Sequence, residues 1–316
     1  MNSCADQATF QRFAAIDIGT VTCRLLVAEC DGTVVRELAK EAIITNLGED
    51  VDATGVLKPQ AMERVFTTVR GFLDIINSFE GPTQITAMAT SASRDASNSA
   101  DFVAGLAQMG ISLSVIPGEK EAALSFMGAS LDFAGEPIIV TDIGGGSTEI
   151  IAGVAGQEPI FAHSFNIGCR RITDRFLHAD PLDAAEVEAG RQWVREQFVP
   201  YFQQMEQAGF TPTRVVSVAG TATSVVSMRD RMEVYNSALV HGAVVTKDEL
   251  DLVFSELSGL TLEQRKQRVG LQPQRAGVIN GGLIIQQEVL RAAQCDAFVA
   301  SESDILQGII LTAARA

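Results

Sequence analysis

Asp142-Ile143-Gly144-Gly145-Gly146-Ser147-Thr148 follows the apolar run Pro137 to Thr141 and leads into the β-branched run Glu149 to Val154. Consecutive glycines give up packing and backbone entropy, which is expected where a ligand approaches the main chain, and their N–H groups can meet phosphate oxygens. The loop lacks a P-loop lysine and enters a strand, so neither the Walker nor the dinucleotide fingerprint fits. Alone, it reads equally well as a plain glycine hairpin. Asp17-Ile18-Gly19-Thr20 repeats the plan, after Arg12 to Ile16 and before Cys23 to Cys30. A lone Asp before Gly is usually a turn former. Asp17 and Asp142, however, stand at matched strand ends, where carboxylates could hold a hard cation directly or through its waters.

Two strand-turn-strand units with the same Asp-Ile-Gly turn imply duplicated halves facing one another. Between them, Pro59 opens an amphipathic helix with Met62, Val65, Phe66, Val69, Leu73 and Ile76 at near-helical spacing. A strand from Gln84 to Ala89 follows, then a polar loop Thr90-Ser91-Ala92-Ser93-Arg94, a helix Phe102 to Met109, a strand Ile111 to Ile116, and a helix from Glu119 onward. Asp183 with Glu186 and Thr246 with Glu249 have the spacing of capping boxes. A strand Arg214 to Val218 ends at Ala219-Gly220-Thr221-Ala222-Thr223, entering a helix whose N–H groups could point at an anion. A helix from about Pro273 to Ala293, a strand Ala297 to Ala300 and a final helix complete the chain. Strands alternating with helices mean layered α/β domains.

The sequence has 316 residues, 47% hydrophobic and 20% charged, a length that fits two domains. No apolar run approaches the roughly 20 residues of a membrane-spanning helix. The N-terminus, with Asn2, Ser3, Asp6 and Gln7, shows no secretory leader, so the cytoplasm is the default location. Five cysteines without close pairs read as reduced thiols, and three scattered histidines disfavour a histidine-built metal site. A net charge of −15 opposes nucleic-acid binding. It also means that a polyanionic substrate must find locally positive ground.

The chain resembles the exopolyphosphatase and guanosine pentaphosphate phosphohydrolase family of the actin, hexokinase and Hsp70 superfamily. The matching stretches are Ala15 to Thr20, Thr90 with Arg94, Pro117-Gly118-Glu119-Lys120-Glu121-Ala122, Asp142 to Glu149, Ala219 to Thr223, Val240-His241-Gly242, Leu257 to Leu260 and Gly270 to Ala276. The resemblance implies two actin-like, ribonuclease H-like α/β domains with an interdomain cleft: residues 1–118 plus a C-terminal helix at about 301–316, and residues 119–300. It implies Glu121 as catalytic base and Asp142 and Glu149 as groups serving Mg2+. It places phosphates against Asp17, Gly19, Thr20, Thr22, Arg94, Gly144, Gly145, Gly146, Ser147, Thr148, Gly220, Thr221 and Arg275. The reaction implied is release of terminal phosphate from inorganic polyphosphate, with guanosine pentaphosphate (pppGpp) as the alternative substrate; neither nucleic acid nor membrane is a partner, and family likeness alone implies a homodimer.

Read without the family, Glu121 and Arg94 would be solvated surface residues. Glu119 lies two residues before Glu121, and helical geometry lets only one of them face the cleft. His241 would be packed or solvated. Arg170, Arg171 and Arg175, with Arg265, Lys266 and Arg268, could line a polyanion path but are more often solvated faces. The chain departs from the family at Val21, where asparagine is usual and can hydrogen-bond as valine cannot, at Gly277, where aspartate is frequent, and in Ser301 to Gly308, which lacks a common arginine. It also stops short of the C-terminal helical domain of larger members, which hints at shorter polymers. Val21 motivates a rival reading, a weakly catalytic polyphosphate or alarmone sensor. A sugar or acetate kinase is a second rival, and it requires an adenosine pocket.

Overall fold

In the computed structural model, which describes residues 10–316, both Asp-Ile-Gly units fold as hairpins. The N-terminal residues that bear on a leader, and Cys4, lie outside the described residues. β1 (Gln11–Ile18) and β2 (Thr22–Cys30) pair antiparallel with Asp17 opposite Arg24, and the Gly19 N–H closes the turn on the Thr22 carbonyl at 3.0 Å. β3 (Val35–Ile44) extends the meander, while β4 (Gln84–Ala89) and β5 (Leu113–Val115) run parallel to β1, giving the order β3-β2-β1-β4-β5. The helices of this half are α1 (Val51–Thr54), α2 (Pro59–Asn77), α3 (Ser91–Asp95) and α4 (Ser99–Ala107).

The second hairpin repeats the plan with β6 (Pro137–Ile143), β7 (Thr148–Val154) and β8 (Phe161–Phe165) antiparallel. β9 (Arg214–Val218) and β11 (Ala297–Ala300) run parallel to β6, and β10 (Val244–Thr246) adds an antiparallel edge, in the order β10-β11-β9-β6-β7-β8. Removing β10 leaves the same order in both sheets, the arrangement of a ribonuclease H-like unit, so each half is actin-like. The helices of the second half are α5 (Gly118–Ala129), α6 (Cys169–Phe176), α7 (Ala184–Gln207), α8 (Ala219–Arg229), α9 (Ser237–Val240), α10 (Lys247–Ser258), α11 (Leu262–Arg265) and α12 (Ile279–Ala292), and the last helix, α13 (Ile305–Ala314), returns to the first sheet. Among the described residues no helix is long and apolar enough to cross a membrane.

Period-2 alternation decides which layer each strand residue joins. From β1, Ile16 and Ile18 point to α2 and α4, where they pack with Val65, Val69 and Phe102. Phe13 and Ala15 point the other way, to Leu306, Ile309 and Ile310 of α13 and Leu124 of α5. In the second sheet, Ile139 and Ile150 pack with Phe198, Val225 and Leu283, while Ile138, Val140 and Ile151 pack with Ala122 and Phe126 of α5. Each fully buried Leu, Ile or Phe contributes about 1.5–3 kcal/mol. Helix α5 therefore spends Leu124 on one sheet and Phe126 on the other, which fixes its first turn at the seam between the halves.

Local expectations hold with three exceptions. The stretch Thr90 to Arg94 is mostly the helix α3 rather than a loop, closed by the Arg94 N–H on the Thr90 carbonyl at 3.0 Å. The single helix expected from Pro273 is a 3-10 turn, Pro273–Arg275, followed after the exposed Gly277 by α12. Asp183 caps α7, but Glu186 turns back to accept from the His178 and Ala179 N–H groups at 2.9 Å, so no reciprocal box forms there. Thr246 and Glu249 do form one.

Candidate active site

Both glycine turns open onto one cavity of about 380 Å³ between the sheets. Its wall carries Asp17, Gly19, Thr20 and Thr22 from the first turn, Asp142, Gly144, Gly145, Gly146 and Ser147 from the second, and Glu121, Gly220 and Arg275. Positions separated by more than a hundred residues in the chain thus meet in one place. Glu119 is exposed, whereas Glu121 in the first turn of α5 is 7% exposed and on the wall.

Four expected residues stand behind that wall. Thr148 is fully buried and donates its hydroxyl to the Ile167 carbonyl at 2.6 Å. Thr221 is buried under Gly282 of α12. Glu149, opposite Asp142 in the β6–β7 ladder, is buried and accepts from the Ser164 hydroxyl at 2.6 Å. Arg94 donates to Glu121 Oε2 at 2.7 Å and to the Ile116 carbonyl at 3.0 Å, so its guanidinium faces the glutamate. Strand register explains Thr148 and Glu149: the hairpin turns at Gly144 to Ser147, and the next two residues are already in the sheet.

Burial governs the electrostatics. Glu121 is pushed above the ordinary glutamate range by desolvation, with Arg94 opposing and the charges of Asp142 and Asp17 adding. Asp142 is likewise raised by burial, although Arg24 opposes and the Ser125 hydroxyl donates to its Oδ2 at 2.8 Å. Asp17 and Glu149 are raised for the same first cause. Taking a carboxylate out of water disfavours its charged form unless a partner compensates, and here four acids share too few partners. One atom shows this directly: Asp17 Oδ1 is buried and has no hydrogen-bond partner.

Arg275 is the converse case. It makes no ion pair among the described residues, its Nε is buried without a partner, and burial holds its pKa below the usual arginine value. Its guanidinium lies against the Gly220 backbone at the start of α8, just after Ala219, a non-glycine residue held at φ 63°. Such a left-handed residue costs roughly 1–2 kcal/mol, and here it stands where β9 passes into α8 on the cavity wall. A helix N-terminus beside an unpaired guanidinium is suited to an anion.

Sequence reasoning missed Arg24, whose Nε and Nη2 bond Asp17 Oδ2 at 2.9 and 2.6 Å while Nη1 bonds Asp304 Oδ2. Its signal was available: seven positions after Asp17, across a tight turn, a residue pairs directly opposite. Asp304 was legible as the first residue of an Asp-x-x-Gln capping box on α13, which the structure forms with Gln307. Val21 packs with Cys169 and Val278, and its carbonyl accepts from the Thr45 and Asn46 N–H groups, both at 2.9 Å. His241 Nδ1 accepts from the Glu302 N–H at 3.1 Å, with Nε2 3.3 Å from Asp132. The arginine clusters are not an open anion path: Arg170, Arg171 and Arg175 bond Asn46, Asp52 and Asp95, Arg265 pairs with Asp180, and Arg268 with Glu256.

Two ribonuclease H-like sheets, each ending its first strand in an aspartate and a glycine turn at a shared cleft, define an actin-like protein of the phosphoryl-transfer kind. The family model described as the Ppx/GppA phosphatase family matches residues 26–315, and the chain belongs to that family. It is 37% identical over 319 aligned residues to Exopolyphosphatase 2 of Mycobacterium tuberculosis, covering 96% of this chain and 98% of that one. Among solved structures, an exopolyphosphatase-like protein matches with a TM-score of 0.88 at 31% identity, covering 97% of this chain and 98% of the other. The Aquifex aeolicus member of the Ppx/GppA family matches with a TM-score of 0.80 at 24% identity, again over 97% and 98%, a likeness of fold.

Proposed function

We propose that this protein is an exopolyphosphatase that uses Mg2+ to hydrolyse the terminal phosphoanhydride bond of inorganic polyphosphate in the cleft between an N-terminal domain, residues 1–118 plus the helix at about 301–316, and a domain of residues 119–300. The observation that carries the reading is Glu121: a carboxyl group buried at the seam, 2.7 Å from Arg94, facing two strand-end aspartates and the unpaired Arg275 across one cavity.

The acids fit a hard cation. Asp17 Oδ1 is an orphaned buried acceptor, and the donors available are carboxylate oxygens rather than sulfur or imidazole. Among the described residues no three His, Cys, Asp or Glu side chains come close enough to cage a metal. One or two carboxylates with water and substrate phosphate completing the shell is how Mg2+ binds. Asp17 and Asp142 would hold it at the wall, with Glu149 steadying from behind. Seven acids (Asp17, Glu37, Glu41, Glu121, Asp142, Glu302, Asp304) face three bases (Arg24, Lys40, Arg275) around the cavity, so the chain alone cannot neutralise a polyphosphate end. When bound, the ion supplies that positive charge and polarises the phosphoryl oxygens.

The protein's own groups supply the rest. The turn at Gly144 to Ser147, the start of α8 and Arg275 hold the terminal phosphates through N–H and guanidinium donors. Arg94 fixes the orientation of Glu121, which accepts the proton of the attacking water as its oxygen bonds to the terminal phosphorus. The bridging P–O bond breaks, its electrons remain on the shortened polyphosphate, and orthophosphate leaves. Cytoplasmic location and a homodimer belong to this reading through the family alone.

Phosphate release from short polyphosphate, long polyphosphate and pppGpp, with and without Mg2+ and with Glu121→Gln as control, tests it. Mg2+-dependent release from polyphosphate that the variant abolishes is expected. Preferential release from pppGpp would move the substrate to the alternative, and tight alarmone binding by equally inert wild type and variant would make the protein a sensor.

A further inference from the structure

Arg171 takes no part in the chemistry above, yet its guanidinium is engaged on every edge. Its side chain is 12% exposed in the first turn of α6. Nε donates to the Gly146 carbonyl at 3.0 Å, Nη2 to Asp95 Oδ2 at 2.7 Å, and Nη1 to Asp52 Oδ1. The first acceptor is the glycine turn of the second half; the other two belong to α3 and α1 of the first half.

Asp95 directly follows Arg94, the residue that holds Glu121. Both sit on the five-residue helix α3, and Ser91 of that helix presses on the same turn: a Cβ on Gly146 would stand 2.5 Å from the Ser91 hydroxyl oxygen. One helical turn is a rigid spacer. Arg94 therefore ties it to the base, while Asp95, through Arg171, ties it to the carbonyl side of the glycine turn that lines the cavity. A planar guanidinium with fixed donors specifies such a geometry as an ammonium cannot.

We propose that Arg171 is a positioning residue for phosphate release: through Asp95 and Arg94 it keeps the Gly144 to Gly146 turn in register with Glu121. The inference rests on Glu121 being the base and the turn being a phosphate cradle. Its consequence follows from the steepness of catalysis with geometry, since about 1 Å of misplacement can cost roughly 100-fold in rate. Arg175 is the matched comparison. It lies one turn along the same helix and bonds Asp52 at 2.6 and 2.8 Å, but it packs over Trp193 and makes no hydrogen bond to the turn or to α3.

The test measures kcat and KM for polyphosphate with saturating Mg2+ on the full chain as wild type, Arg171→Ala, Arg171→Lys, Asp95→Ala, the Arg171→Ala/Asp95→Ala double variant, Arg175→Ala and Glu121→Gln, with thermal melting of each. We expect Arg171→Ala and Asp95→Ala each to lower kcat about 10- to 100-fold with KM changed far less. The double variant should be little worse than the worse single one, because both remove one linkage. Arg171→Lys should fall between, and Arg175→Ala should stay near wild type. The proposal is overturned by a wild-type kcat in Arg171→Ala, by equal losses in Arg171→Ala and Arg175→Ala, by a purely KM effect, or by additive losses in the double variant. Should Arg171→Ala fail to fold, Arg171→Lys and Asp95→Ala decide by the same criteria. A fully active Glu121→Gln instead removes the catalytic reading, independently of how the Arg171 variants behave.

Discussion

Arg94 Nη1 lies 2.7 Å from Glu121 Oε2, yet burial outweighs the guanidinium and the glutamate stays raised, to about 7. A carboxyl whose folded pKa is raised contributes stability while protonated. That contribution is whole below the unfolded value of about 4.3 and is lost as pH rises through about 7. Glu121→Gln, a permanent mimic of the protonated form, should therefore melt higher than wild type at pH 8 and equally at pH 4. Its phosphate release should fall by at least about 100-fold. Equal melting at both pH values would mean that the cleft is wetter than its geometry implies.

Arg24 holds two buried carboxylates at once, one from each end of the chain. Removing a buried ion's partner leaves uncompensated charge, which typically costs about 3–5 kcal/mol. Arg24→Met should lose stability of that order in urea unfolding at pH 7.5. Arg24→Lys should recover part of it, because an ammonium cannot engage both partners as a fork does. The deficit should narrow as pH falls toward 3, because burial raises the pKa of Asp17 and its protonated carboxyl no longer needs a cationic partner; a deficit unchanged with pH would assign it to lost packing.

The two Asp-Ile-Gly turns were legible because a turn between buried strands leaves a local signature: apolar run, acid, glycine, β-branched run. From them the duplicated plan followed, and with it the meeting of Asp17 and Asp142. β3 was not legible: Val35-Arg36-Glu37-Leu38-Ala39-Lys40-Glu41-Ala42 is largely exposed and built of helix-favouring residues, and it is a strand because β2 offers it an open edge. Arg24 and Asp304 lie 280 positions apart, so no local pattern joins them. The same limit applies to the arginines of α6, whose acid partners sit 76 to 123 positions upstream. The turn residues declared themselves in sequence, but whether Thr148 and Glu149 reach the cavity depended on the register of a single hairpin.

The acids around the cavity should make the protein respond to divalent cations before any substrate is added. A ligand that binds only the folded state raises the melting temperature by mass action. Asp17 and Asp142 have pKa values raised by burial, so protons compete for the same oxygens at low pH. Mg2+ should raise the melting temperature clearly at pH 8 and much less at pH 5. Asp17→Asn should weaken the response at pH 8. A shift of equal size at both pH values would place the ion elsewhere.

Helices α5 and α13 cross where a side chain has no room: a Cβ on Gly128 would stand 1.8 Å from the Asp304 carbonyl oxygen. The clash is with backbone, and that backbone carries both the cap of α13 and the carboxylate bound to Arg24. Gly128→Ala should thus push α13 away from α5, at a cost of about 1–3 kcal/mol or more, and should lower phosphate release by displacing Asp304. Gly71, exposed in the middle of α2, is the opposite case, since nothing lies within 4 Å of its added Cβ. There the better helix propensity of alanine should add roughly 0.5–1 kcal/mol and leave activity untouched. Chemical unfolding of the two variants in parallel checks both signs, and a Gly128→Ala protein as stable as wild type would show that α13 does not pack on α5 this closely.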